Sequence, residues 1–119
     1  MLARTALLWS IRHATEGASV GGLAAEVGCS TGSLRKSFLR AGLPSPKRTL
    51  MWGRLFFAAR ELARGNPSVE RLALRLGYAS RSGLTRMMSR ELGAPPRVLR
   101  RRDVWRQAIG TYTGELIGS

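Results

Sequence analysis

Apolar positions along this chain recur at intervals of three and four, in blocks separated by glycine and proline, and the pattern predicts an all-α molecule. Leu7, Leu8, Ile11 and Ala14 space a first helix over residues 2–14, with Arg4 and Arg12 left to solvent and Gly17 beyond its end. Ser19 opens a short second helix whose inner face is Leu23, Ala24 and Val27. Ser30 caps a third. There Leu34 and Phe38, four apart, point inward, while Thr31, Gly32, Arg35 and Lys36 point outward and Gly42 provides the left-handed stop. Leu43-Pro44-Ser45-Pro46 breaks the chain. A long helix then begins near Pro46 or Lys47 and runs to Arg64, with Leu50, Leu55, Ala58, Ala59 and Leu62 as its stripe. Trp52, Phe56 and Phe57 widen that stripe enough to touch both halves of the chain. Gly65-Asn66-Pro67 ends it.

Ser68 caps the next helix, Val69–Leu76, which turns Val69, Leu72, Ala73 and Leu76 inward. After Gly77-Tyr78, Ser80 starts another, with Arg81, Ser82, Thr85 and Arg86 outward, stopped by Gly93-Ala94-Pro95-Pro96. Pro95 or Pro96 begins a last helix in which Val98 and Leu99 pack and Arg97, Arg100, Arg101 and Arg102 stay outside. From Asp103 the pattern weakens. Trp105 and Ile109 dock one more turn, and residues 110–119 fray. The reading is therefore one domain over residues 1–102 and a C-terminal tail over 103–119.

Within this pattern lies a repeat. Ser30, Leu34, Lys36, Phe38 and Arg40 correspond to Ser80, Leu84, Arg86, Met88 and Arg90, each 50 residues on. Leu23–Gly28 (LAAEVG) corresponds to Leu72–Gly77 (LALRLG), 49 residues on, so the second turn is one residue longer. The chain is two helix–turn–helix units, about residues 19–42 and 68–93, joined by the long helix at about 46–64. At about 1.5 Å per residue, 18 residues of linker span roughly 27 Å, the scale of one DNA turn of about 34 Å.

Charge adds the partner. Lys and Arg number 20 against 7 acids, a net charge of +13, which predicts a polyanion. No acid occurs between Glu26 and Glu61, where Arg35, Lys36, Arg40, Lys47, Arg48, Arg54 and Arg60 all fall. One cysteine excludes an internal disulfide and a multi-cysteine zinc site, and points to a reducing cytoplasm. Cys29 reads as a small buried residue; a redox sensor needs an exposed thiol of lowered pKa. His13 lacks a second metal ligand at i+4, and Trp9 reads as a packing residue. No apolar run is long enough for a membrane span, and Arg12 and His13 interrupt any signal-peptide core. No carboxylate pair, positioned nucleophile or phosphate loop appears, so no catalytic residue, metal or cofactor is expected.

The repeat resembles the DNA-binding domain of AraC/XylS-type transcription regulators, over roughly Ile11 to Arg102. The likeness rests on Leu23-Ala24, Gly28, Ser30, Leu34, Phe38 and Gly42, on Arg54-Leu55 with Ala58, and on Val69, Leu72-Ala73, Leu76-Gly77-Tyr78, Ser80, Arg86, Gly93, Pro95 and Arg100. The resemblance implies that the third and sixth helices enter successive major grooves of double-stranded promoter DNA. It places base contacts at Gly32, Arg35 and Lys36 in the first unit and at Arg81, Ser82, Thr85 and Arg86 in the second. Arg35 and Arg86 are the guanine readers and Thr85 touches a thymine methyl; a bidentate arginine contact is worth about 1–3 kcal/mol of discrimination. Ser30, Arg48, Ser80, Arg90 and Arg97 are the expected phosphate contacts. The chain departs from the family where Gly32 offers no side chain, Lys36 lacks the arginine fork, and Met88 and Leu99 replace aromatics.

The expected function is sequence-specific DNA binding as a transcription regulator, with RNA polymerase a further partner that the resemblance implies for an activator. Two units on one chain let a monomer read two groove segments; a dimer requires a domain that this chain lacks. The chain is either a stand-alone regulator or a piece of a longer one. The rival is a non-specific basic nucleic-acid binder, marked by steep salt dependence without a preferred sequence.

Overall fold

The computed structural model describes residues 2–64, 68–93 and 101–118, the last segment with side chains over 106–116. Among the described residues there are seven helices and no strand: α1 (Leu2–Arg12), α2 (Val20–Val27), α3 (Thr31–Arg40), α4 (Pro46–Ala63), α5 (Val69–Arg75), α6 (Arg81–Leu92) and α7 (Arg101–Gly118). The expected stop at Gly65-Asn66-Pro67, the Ala94–Pro96 break, the packing of Val98 and Leu99, and Arg97 and Arg100 lie outside the described residues. So do the side chains of Arg101, Arg102 and Trp105.

Serine sets most of the helix starts. Ser19, Ser30, Ser45 and Ser68 each accept a hydrogen bond from the backbone N–H three residues on, at Gly22, Ser33, Arg48 and Arg71. Such a cap contributes about 1 kcal/mol by satisfying a donor that the first turn leaves free. Ser80 makes no side-chain cap bond.

The long helix α4 organises the packing. Its middle is buried nearly all round, from Leu50 through Gly53 and again from Leu55 to Ala59. It packs against α1, α2 and α3 on one side and α7 on the other. Two apolar clusters result. Ala6, Leu23, Ala24, Leu34 and Phe38 form the first, under α3. The larger one joins α4 to Leu72, Ala73 and Leu76, to Leu84, Met87, Met88 and Leu92 of α6, and to Ala108 and Tyr112 of α7. α4 also contacts α2 and α3, but Trp52, Phe56 and Phe57 all lie in the larger cluster and none in the first.

Two expectations are corrected. Of the expected inner residues, Leu7 and Ile11 pack against the core and Ala14 is buried, but Leu8 is 45% exposed, and the most deeply buried residues of α1 are Ala6 and Ser10. Small residues are needed there because α1 crosses α4 at Gly53, where a Cβ would lie 2.5 Å from Ser10 Cβ. The buried Ser10 hydroxyl is satisfied by the Ala6 carbonyl at 2.8 Å. The second correction concerns residues 103–119. Through Gly118 they belong to α7 rather than to a frayed tail. Tyr112 packs edge-on against Trp52 (5.3 Å) and Phe56 (5.5 Å), and Ala108 is fully buried.

Candidate nucleic-acid interface

Both units build an exposed helix on the same local scaffold. In the first, α2 ends on Gly28 at φ +79°, and the Cys29 N–H donates to the Ala24 carbonyl at 2.9 Å. In the second, Gly77 stands at φ +88°, and the Tyr78 N–H donates to the Ala73 carbonyl at 3.0 Å. Glycine takes this left-handed conformation without the Cβ clash other residues meet, and the chain folds back over the helix end. Ala24 and Ala73, like Gly28 and Gly77, are equivalent in the repeat, so one turn geometry serves twice. The extra residue of the second turn goes to Ala79, before Ser80.

Packing then decides which face each helix presents. Leu34 and Phe38 hold α3 on Leu23 and Ala24. Leu84, Met88 and Leu92 hold α6 on Leu72 and Ala73. The opposite faces are left to solvent. Gly32, Arg35 and Lys36 are exposed on α3; Arg81, Ser82 and Arg86 are exposed on α6, with Thr85 half-buried. All seven residues expected to read bases therefore lie away from the core, distributed over two helices. No acid occurs in α3, and the one acid of α6, Glu91, is only 7% exposed. Neither helix carries an exposed carboxylate of its own.

The second turn is clamped from two sides. Tyr78 packs against Gly83, where a Cβ would lie 3.0 Å from the ring. Arg54 of α4 donates to the Tyr78 hydroxyl at 3.3 Å, with its guanidinium carbon 5.9 Å from the ring centroid. In the first unit Trp9 of α1 lies over Gly22 in the first turn of α2, where a Cβ would stand 3.1 Å from its ring.

The expected phosphate contacts divide. The Ser30 hydroxyl is engaged as a cap, accepting from the Ser33 N–H and donating to the Ser33 hydroxyl, each at 3.1 Å. Ser80 is exposed with no cap bond. Arg90 is 67% exposed, its Nε 3.2 Å from Glu91. Arg97 lies outside the described residues. Arg48 is placed differently from the expectation. Its Nη2 donates to Glu91 at 2.6 Å and its Nε to Glu115 at 2.6 Å. Its side chain is paired but still 40% exposed, and the hydrogen bond to Glu91 leads the contributions that hold its pKa above the ordinary value against burial. For Glu91, burial acts upward, but the hydrogen bonds and charges of Arg48 and Arg90 outweigh it and leave the carboxyl below its usual range. Burial, helped by the charge of Glu115, pushes the Tyr112 phenol up.

The sequence reading missed Glu91, Tyr112 and Glu115. Ala108, Tyr112 and Leu116 stand four apart, the helical spacing that could have found α7, with Glu115 beside them. Elsewhere, Cys29 is half-buried against the first apolar cluster. His13 stacks on Trp9 at 4.6 Å and meets Glu16 at 3.1 Å. Among the described residues no group of three or more His, Cys, Asp or Glu could hold a metal ion, and no helix is long and apolar enough to cross a membrane.

A family model described as a helix-turn-helix domain matches residues 23–102, about two thirds of the chain. No curated protein and no solved structure shows significant similarity to it. The matched segment takes in both turns, both basic helices and the whole of α4. With the duplicated unit and the shared linker on which it rests, this match makes the chain a member of the AraC-type helix–turn–helix family of DNA-binding transcription regulators.

Proposed function

We propose that the chain binds double-stranded DNA at a specific sequence, with α3 and α6 lying in successive major grooves on one face of the duplex. The observation that carries this reading is the duplication of a basic, acid-free outer face on a helix anchored by equivalent turns. A side chain on such a helix reaches base edges, where Arg35 and Arg86 offer forks matched to guanine O6 and N7 and Thr85 a methyl matched to thymine. Arg81, Ser82 and Lys36 add contacts, and Gly32 admits the backbone closely. Ser30, Ser80 and Arg90 at the helix ends, together with Arg97, hold phosphates. One chain carries both reading heads, α3 and α6, so a monomer suffices to reach two groove segments.

Selection of bound sequences from random duplexes at near-physiological salt tests this, with wild type and Arg86→Ala in parallel. The expected result is a motif of two blocks about one helical turn apart, of which the variant relaxes one. Enrichment of no motif, with both proteins binding every duplex alike, contradicts specific reading and leaves the non-specific basic binder that the +13 charge alone supports.

A further inference from the structure

Arg48 stands where three helices meet. It lies in the first turn of α4, and its guanidinium takes two carboxylates from distant parts of the chain. Glu91, near the end of α6, receives Nη2 at 2.6 Å and Nη1 at 3.3 Å. Glu115 of α7 receives Nε at 2.6 Å. The second oxygen of Glu115 accepts from Trp52 Nε1, one turn further along α4, at 2.6 Å. Both carboxylates are largely sheltered, at 7% and 24% exposure.

We propose that Arg48 and Glu115 are positioning residues for DNA recognition: through Glu91 they fix the end of α6 to α4 and α7, and so set where the second reading helix stands relative to the first. The proposal rests on the two-groove reading above. The apolar cluster that joins α6 to α4 resists separation, but the hydrophobic effect has no preferred direction and permits sliding. A planar guanidinium forked on one carboxylate and bonded to a second resists it, because each bond has an angle as well as a length. α7 packs against both α4 and α6, so Glu115 bonds the same scaffold from the other side. The other ionic link from α4 to the second unit, Arg75 to Glu61, is longer at 3.5 Å, with its arginine half exposed; such a pair contributes little. The first unit has no counterpart: among the described residues no ion pair joins α2 or α3 to α4. The Arg48 network is thus the most directional tie on the position of α6.

The test uses the full chain, its selected two-block duplex, and two further duplexes with the gap one base pair shorter or longer. Affinities are measured over a range of salt for wild type, Arg48→Met, Glu115→Gln and the double variant, each checked by thermal melting to be folded at the assay temperature. Glu115→Gln keeps an acceptor for Trp52 and carries the test should Arg48→Met fail to fold. The wild-type preference for the selected gap is expected to fall about fivefold in each single variant and no further in the double, as for groups that act as one unit. The slope of log affinity against log salt stays at the wild-type value in Arg48→Met. An unchanged gap preference in the folded single variants overturns the proposal. So does a slope reduced by about 1 in Arg48→Met, which makes Arg48 a phosphate contact. A wild type that selects no two-block site overturns the DNA reading itself, and the proposal with it.

Discussion

At Gly53 one missing carbon decides how α1 and α4 cross. A Cβ there would stand 2.5 Å from Ser10 Cβ and 2.6 Å from its carbonyl carbon, and backbone cannot swing aside as a long side chain can. Gly53→Ala gains about 1 kcal/mol of helix propensity, yet overpacking costs about 1–3 kcal/mol. The expected outcome is net destabilisation in urea unfolding; a variant as stable as wild type contradicts the close crossing. This contact was not legible beforehand. Ser10 counts as polar in any apolar pattern, so the pattern reads Leu7, Leu8, Ile11 and Ala14 as the inner face, and only a partner helix shows that the small residues Ala6 and Ser10 are also required there. Glu91 gives a second prediction at this scale. Its folded pKa lies below the ordinary value of 4.5, so it contributes stability above that value, lost as pH falls through the lower folded one. Melting temperature should therefore be insensitive to this group near neutrality and drop in acid below about pH 4.5, and Glu91→Gln should lose that part of the acid dependence. An identical acid profile in the variant contradicts the pairing.

The elements most legible in the sequence were those in the repeat. Ser30, Leu34 and Phe38 define α3 by cap and spacing, while α6 is defined by the spacing of Leu84 and Met88, since Ser80 makes no side-chain cap bond. The outer faces followed directly, because a helix that buries Leu34 and Phe38 must turn Arg35 and Lys36 out. By contrast, α7 was hidden by its composition. Gly110 and Gly114 each weaken a helix by about 1 kcal/mol, and read alone they suggest fraying. Tertiary packing overrides them, since Ala108 and Tyr112 complete the aromatic cluster of Trp52 and Phe56. Tyr112→Ala should cost about 3–5 kcal/mol, as for other buried aromatics, read as a lowered denaturant midpoint. A loss below about 0.5 kcal/mol, the level of a surface change, contradicts the docking of α7. The pairing of Arg48 was illegible because its partners are distant in sequence: Glu91 lies 43 residues away on α6, and Glu115 lies 67 away on α7, the element not foreseen to fold back.

For the whole molecule, charge supplies attraction, and on the proposed two-groove reading the duplicated fold supplies address. A +13 chain gathers on any polyanion, and salt weakens that attraction steeply. Specific reading requires that Arg35 and Arg86 meet guanines in two groove segments at once, set apart by the scaffold of α4. The most direct measurement is guanine N7 methylation interference on the selected duplex, because that methyl occupies the atom an arginine fork must reach. Two clusters of interfering guanines, about 10 base pairs apart on one face, are predicted, with Arg86→Ala abolishing one and sparing the other. Interference in a single cluster, or none at any guanine of a tightly bound site, contradicts two-groove recognition by α3 and α6.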